Sequence, residues 1–348
     1  MSIADAIAAH LRDTYAGTSH PATPVAPQDA LRALIARGFD RLPLPGGGAT
    51  LTRWQALAAV GAHDLSLLKL YEGHTDAIAI MDELGHVPAT AIDGSWGAWG
   101  VWCAEPPDAR LSLGAAAPTT LNGRKAWCSG AAHVDHAIVS CWDEQARPCL
   151  AAVDMRAAGV HVTEEGWHAV GMAACASVDV LFADAVAWPV GAPYDYVHRP
   201  GFWHGGAGVA AGGDGAAGAL GERRRRQLRE APAARANDAL RLAQLGAIDV
   251  ALASARAQLR AAAAAIDAAP AGDAMALALR TRLAVERAAT EVIALATRAL
   301  GAGPLCRDAH FARLVADLPV FLRQSHAERD LAALGAVLIP SLESPWTL

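Results

Sequence analysis

The residues with the most chemical promise lie in one short run, Leu121-Asn122-Gly123-Arg124-Lys125-Ala126-Trp127-Cys128-Ser129-Gly130. A planar heteroaromatic ligand needs a flat apolar wall and a few well-placed polar groups. An indole at Trp127 is suited to the first. The same indole could equally serve as the core of a sheet. Trp96, Trp99 and Trp102 follow a spacing of three, which on a strand does not keep them on one face. Core positions and a cleft position are both open for them.

Ionisable clusters form a second group. Arg323-Gln324-Ser325-His326-Ala327-Glu328-Arg329-Asp330 interrupts an otherwise apolar stretch. Its members could bond along a helix at i,i+3 or i,i+4, or gather at a cleft. Arg223–Arg226 is either a solvated face or the source of one guanidinium for a diphosphate. In Gly73-His74-Thr75-Asp76 the spacing suggests a helix entry with Thr75 as N-cap, and a cleft role for Glu72 or His74 is the alternative. The glycines between Gly205 and Gly218 fit a loop or a closely packed helix. No G-x-x-x-x-G-K-[ST] motif is present. The six cysteines, Cys103, Cys128, Cys141, Cys149, Cys175 and Cys306, include no C-x-x-C pair, so metal-ligand spacing is missing and reduced thiols are expected.

Three kinds of segment must position these groups. Residues 1–92 show helical spacing, as in Ala30, Leu31, Leu34 and Ile35 and again in Ala77, Ile80, Met81 and Leu84. Residues 93–190 alternate as half-buried strands do. His136–Trp142 and Cys149–Asp154 flank a turn at Gln145-Ala146-Arg147-Pro148, and Val160–Val162 and Val178–Phe182 add two more strands. Asn122-Gly123 reads as a hairpin turn. Residues 191–348 return to helix, with segments from Leu240, from Leu277 to Leu300, and from Phe311 to Leu338. Gly301-Ala302-Gly303-Pro304 closes the middle one.

Composition narrows the function. The chain has 348 residues, a net charge of −6 and 53% hydrophobic residues. That is enough for a large core, and the acidic balance argues against a nucleic-acid binder. No stretch is apolar for long enough to span a membrane. The start Met1-Ser2-Ile3-Ala4-Asp5 lacks a basic, then apolar, leader, so a cytoplasmic location is expected.

Several of these stretches together resemble the acyl-CoA dehydrogenase family. Val101-Trp102-Cys103-Ala104-Glu105-Pro106 looks like its first strand and Thr-Glu-Pro turn. The Trp127 run resembles its NG-x-K-x-W hairpin. Gly171-Met172 with Ser177–Val186 and Pro189 looks like its later strand pair. Leu300-Gly301-Ala302-Gly303 with Arg307-Asp308 is similar to its G-G-x-G and Arg-Asp segment. The resemblance implies an α+β fold: an N-terminal helical domain (1–92), a central antiparallel β-domain (93–190) and a C-terminal helical bundle (191–348). It implies bound FAD, with Trp127 against the ring, Ser129 reaching toward N5, and Cys128 between them. Backbone groups of Cys103 and Ala104 would meet the pyrimidine end, and Gly301 and Gly303 the pyrophosphate. It further implies a homodimer or homotetramer, with an acyl-CoA or related small molecule as substrate.

Two departures qualify the reaction. The family's Arg-x-x-Phe-Gly signature is missing. Where the glutamate that takes the substrate proton is expected, eight positions past Asp308, stands Ala316. Asp317 is the nearest carboxylate, but its side chain leaves a helix about 100° away. Near Gly201–Trp203, the family's other location for this base, the closest titratable group is His204. The sequence therefore supports oxidation of an acyl thioester with Asp317 as base. It also supports a reduced-flavin, oxygen-using relative that needs no such base, or a non-catalytic member.

Overall fold

The computed structural model describes residues 1–15, 26–85, 97–340, 344, 346 and 347. Trp96 lies outside them. Helices come first: α1 (Ile3–Tyr15), α2 (Pro27–Ala36), α3 (Thr50–His63) and α4 (Leu65–Leu84). Strands follow: β1 (Trp99–Trp102), β2 (Leu111–Leu113), β3 (Thr120–Cys128), β4 (His136–Trp142), β5 (Pro148–Asp154), β6 (Val160–Val162) and β7 (Val178–Val190). The rest is helical: α5 (Asp195–His198), α6 (Pro200–Arg229), α7 (Ala233–Ala236), α8 (Ala239–Ala268), α9 (Met275–Leu300), α10 (Ala302–Arg307), α11 (Ala309–Leu322) and α12 (Glu328–Leu338). By contacts the chain gathers into two compact units. One holds residues 25–42 and 66–202; the other holds 1–24, 43–65 and 203–348.

The first unit is built on the seven strands. Pairing runs β2–β3–β7–β5–β4 and returns from β4 to β2, so these five close on themselves. β6 pairs with β7, and β1 with β4. Most pairs are antiparallel, but β1–β4 and β2–β4 are parallel. This corrects the all-antiparallel expectation. Neither of these pairs is joined by a hairpin, so nothing forces opposite directions. Ala77, Ile80 and Met81 of α4 form one core with Trp99, Ile138, Leu150, Ala152 and Val190.

Two local readings change here. Asn122-Gly123 is not a turn but a bulge inside β3, where the register with β7 shifts between Leu121 and Gly123. Gly123 has φ +123, and a Cβ there would stand 2.3 Å from Arg110 O. A bulge and a tight turn both need a residue without Cβ, so the dipeptide alone does not separate them. Gly73–Asp76 is likewise not a helix entry, because α4 runs unbroken through it. His74 is fully buried: Nδ1 accepts from Trp99 N–H at 3.1 Å and Nε2 faces Asp40 Oδ2 at 3.3 Å. An Nδ1 that accepts must be unprotonated, so the ring proton sits on Nε2 and is donated to Asp40.

The second unit is helical. Its glycine run is the middle of α6, the closely packed alternative. A Cβ on Gly61 would stand 2.3 Å from Gly212 O, and one on Gly215 would stand 2.1 Å from Ala58 O, so α3 and α6 touch backbone to backbone. Asp214 inside the run pairs with Arg256 at 3.0 Å, and burial pushes its carboxyl up. The helix expected from Phe311 to Leu338 breaks in two, α11 and α12. The polar stretch is the corner between them: Ala327 has φ +45 and the Asp330 carboxylate accepts from His326 N–H at 2.9 Å. Local hydrogen bonds from such residues compete with helix continuation.

Candidate functional site

The C-terminal end of β3 is irregular in a way that exposes its indole. Lys125 pairs with Val180 and Cys128 with Val178, so β3 carries one more residue than β7 across that interval. The extra residue is accommodated with Trp127 at φ +58, a left-handed conformation that a bulky side chain rarely adopts. Lys125 and Cys128 on either side are fully buried, whereas Trp127 is 50% exposed. Regular pleating would have sent Trp127 to the same buried face as Lys125. The bulge turns it outward instead, so Trp127 is not sheet core. Strain of this kind costs about 1–2 kcal/mol and persists where surrounding structure holds it.

Ser129, the first residue after β3, is buried. Its Oγ lies 2.8 Å from Ser177 Oγ, and its carbonyl accepts from Trp102 Nε1 at 3.2 Å. Trp102 thus faces this end of β3, while Trp99 on the opposite face belongs to the α4 core. The Trp102 bond ties the exit of β1, with Cys103 and Ala104, to Ser129. Ala104 is exposed. The Cys103 side chain packs against the α4 core, and burial pushes its thiol up. The Cys128 thiol is also buried and pushed up, and it donates to Lys125 O. Of the expected flavin contacts, the indole of Trp127 is on the surface, the Ser129 hydroxyl is buried against Ser177, and both cysteine side chains point into protein.

Lys125, which the sequence reading left without a role, is the most enclosed charge near this end. Its ammonium donates to Glu105 Oε1 at 2.6 Å, Ser140 Oγ at 2.6 Å and Ser140 O at 3.0 Å, using all three of its hydrogens. Glu105 also accepts from the Ser140 hydroxyl and from Trp142 Nε1 at 3.1 Å. Burial pushes the Glu105 carboxyl up, but Lys125 and Ser140 more than offset this and hold it below its ordinary value. The pair ties the segment after β1 to β3, two residues before Trp127. A lysine within a strand reads as solvated, and nothing local points to a partner twenty residues back.

The other candidates belong to the helical unit. Asp317 is 4% exposed and shares a face of α11 with Leu314, Leu318 and Phe321, so it is not a surface or cap carboxylate. Gly301 ends α9 at φ +70, and neither it nor Gly303 has an atom within 4 Å of an added Cβ. Arg223–Arg226 is no uniform solvated face. Arg223 pairs with Asp308 at 2.7 Å. Arg224 is fully buried and donates to Gln227, Gln244 and the Ala299 carbonyl. At the α11–α12 corner Arg323 pairs with Glu286 and His326 with Asp330, which is the salt-bridging alternative. No group of His, Cys, Asp or Glu that could hold a metal occurs among the described residues.

No protein-family profile and no curated protein matches the sequence. Solved structures do match, along almost all of it. TdsC from Paenibacillus sp. A11-2, in complex with FMN and indole, has a TM-score of 0.79 at 22% identity, covering 98% of this chain and 98% of that one. The methanesulfinate monooxygenase MsuC from Pseudomonas fluorescens has a TM-score of 0.79 at 20% identity, covering 97% of each chain. KijD3 in complex with dTDP has a TM-score of 0.78 at 22% identity, covering 97% of this chain and 95% of that one. This chain therefore has the fold of these enzymes, the acyl-CoA dehydrogenase fold.

Proposed function

We propose that this chain is a flavin-dependent oxygenase that works with reduced flavin and molecular oxygen on a small organic molecule. The observation that carries the reading is Trp127, a half-exposed indole held left-handed at a bulge two residues before Ser129. A flat ring with one apolar and one hydrogen-bonding edge fits such a surface: indole for the face, Ser129 and the Cys103–Ala104 backbone for polar contacts. Bound flavin would supply the redox chemistry; the residues of this chain bind and orient it. FMN is favoured over FAD, because TdsC and KijD3 are each known with FMN.

Oxygenation is favoured over acyl-thioester oxidation by Ala316 at the position of the expected base. It is also favoured by fold neighbours described as a dibenzothiophene monooxygenase and a methanesulfinate monooxygenase. Buried Asp317, on an otherwise apolar helix face, supports the second reading, in which it removes the substrate proton. One experiment separates them. The purified chain is loaded with FMN or FAD, then either reduced and exposed to oxygen with small aromatic and sulfur compounds, or offered acyl-CoA thioesters under nitrogen. Substrate-dependent oxygen incorporation without acyl-CoA bleaching is expected. Bleaching by acyl-CoA that is lost in Asp317→Asn would reverse the assignment, and failure to bind either flavin would end both.

A further inference from the structure

Ser177 has no part in the reading above, yet its hydroxyl lies 2.8 Å from Ser129 Oγ and 3.1 Å from Cys175 Sγ. Beyond it, the Cys175 thiol donates to Met172 O at 3.0 Å. All three side chains are buried. Their backbone is strained into place: Met172 has φ +59 and Ala176 φ +40, and Trp127, two residues before Ser129, has φ +58. Gly130 N–H donates to Cys175 O at 2.8 Å and pins the two segments together. Left-handed residues other than glycine gather where a site over-determines its backbone.

We propose that Ser177 is a positioning residue that sets the hydrogen-bond polarity of Ser129 toward a bound flavin, with Cys175 next along the chain. The inference rests on the reading that Trp127 and Ser129 face that flavin. Cys175 can place its hydrogen on Met172 O and accept from Ser177, or turn it toward Ser177. Ser177 then has two arrangements. If it donates to Ser129, the Ser129 hydrogen is free to point outward. If it donates to Cys175 instead, Ser129 donates to Ser177 and presents a lone pair outward. The redox-active edge nitrogen of a flavin accepts a hydrogen bond when oxidised and donates one when reduced. The chain of hydroxyls therefore satisfies either state with every hydrogen placed.

Loss of the Ser177 hydroxyl affects the two states unequally. With oxidised flavin, Ser129 still donates outward and lacks only one donor to a lone pair. With reduced flavin, its hydrogen is left without an acceptor in a buried place, the costlier omission. The gap left by one hydroxyl is too small for a bridging water.

The test measures binding of oxidised FMN and of dithionite-reduced FMN, under nitrogen, to the wild-type chain, Ser177→Ala and Ser177→Thr. Ser177→Ala is expected to bind reduced FMN about 10-fold more weakly, with oxidised FMN changed less than about 3-fold. That ratio corresponds to a two-electron potential about 15–30 mV lower for the bound flavin. Ser177→Thr, which keeps the hydroxyl, restores the ratio. Equal weakening of both states, or of neither, overturns the proposal. A wild-type chain that binds neither form overturns the functional reading and this inference with it. Should Ser177→Ala not fold, Cys175→Ala removes the terminal acceptor and must move the same ratio in the same direction.

Discussion

A left-handed tryptophan is held against its own preference, so glycine at that position separates folding from binding. Trp127→Gly relieves about 1 kcal/mol of steric strain. It gives back a similar amount through the freedom of glycine in the unfolded chain. The melting midpoint is expected to stay near the wild-type value while FMN affinity drops by about 10-fold or more, the scale of one aromatic stack and its buried area. Trp127→Phe should keep most of the affinity. Wild-type FMN binding in Trp127→Gly would remove the indole from the site. The Lys125–Glu105 pair gives a second contrast. Glu105 is partly exposed and can hydrate when its partner is gone, whereas Lys125 cannot. Urea unfolding should therefore show Glu105→Gln losing about 3 kcal/mol and Lys125→Met clearly less. The opposite order would mean that the lysine is not the buried charge the geometry describes.

Contacts between elements set the next level. Where α3 meets α6 there is no room for a methyl group, so Gly215→Ala should cost at least about 2 kcal/mol. Gly246→Ala, in the open middle of α8, should gain about 0.5–1 kcal/mol by helix propensity, and thermal melts of the two variants check the contrast. At the C-terminal end of α3, burial lowers His63 from 6.5 to about 4; Asp64 opposes the shift, and His310 and Arg313 add to it. The fold holds this ring neutral while the unfolded chain protonates near its ordinary value. The associated stability is fully present above pH 6.5 and is lost as pH falls toward 4, by about 3 kcal/mol at most. His63→Gln should flatten that part of a urea-midpoint profile between pH 7 and 4.5. Strands β4 and β5 were readable in advance because short apolar runs on either side of a polar turn are local signals. The bulge at Asn122-Gly123 was not, because its meaning depends on how β7 registers against it. His74 and Arg224 escaped for a related reason: Asp40, Trp99 and Gln244, which make them core groups, lie far away in sequence.

For the molecule as a whole, the order of helical and strand segments could be taken from residue patterns. The preference proposed for oxygenation over thioester oxidation drew on both levels: Ala316 stands in the sequence, whereas the fold neighbours cannot be read from residue patterns. The reading at this scale predicts that no acyl-CoA thioester bleaches the bound flavin, and an anaerobic visible spectrum decides it. The make-up of the two units carries a further consequence, for synthesis. Each unit is assembled from separated stretches, the helical one from 1–24, 43–65 and 203–348. As the chain leaves the ribosome, the Gly61 face of α3 has no counterpart until Gly212 emerges. That is roughly 150 residues later, a wait on the order of ten to thirty seconds at ordinary elongation rates. Throughout that interval Trp54, Leu57 and Val60 of α3, all buried in the finished protein, have only a nascent chain to shield them. Efficient production in a cell therefore depends on something holding that amphipathic segment out of aggregation until translation is nearly complete.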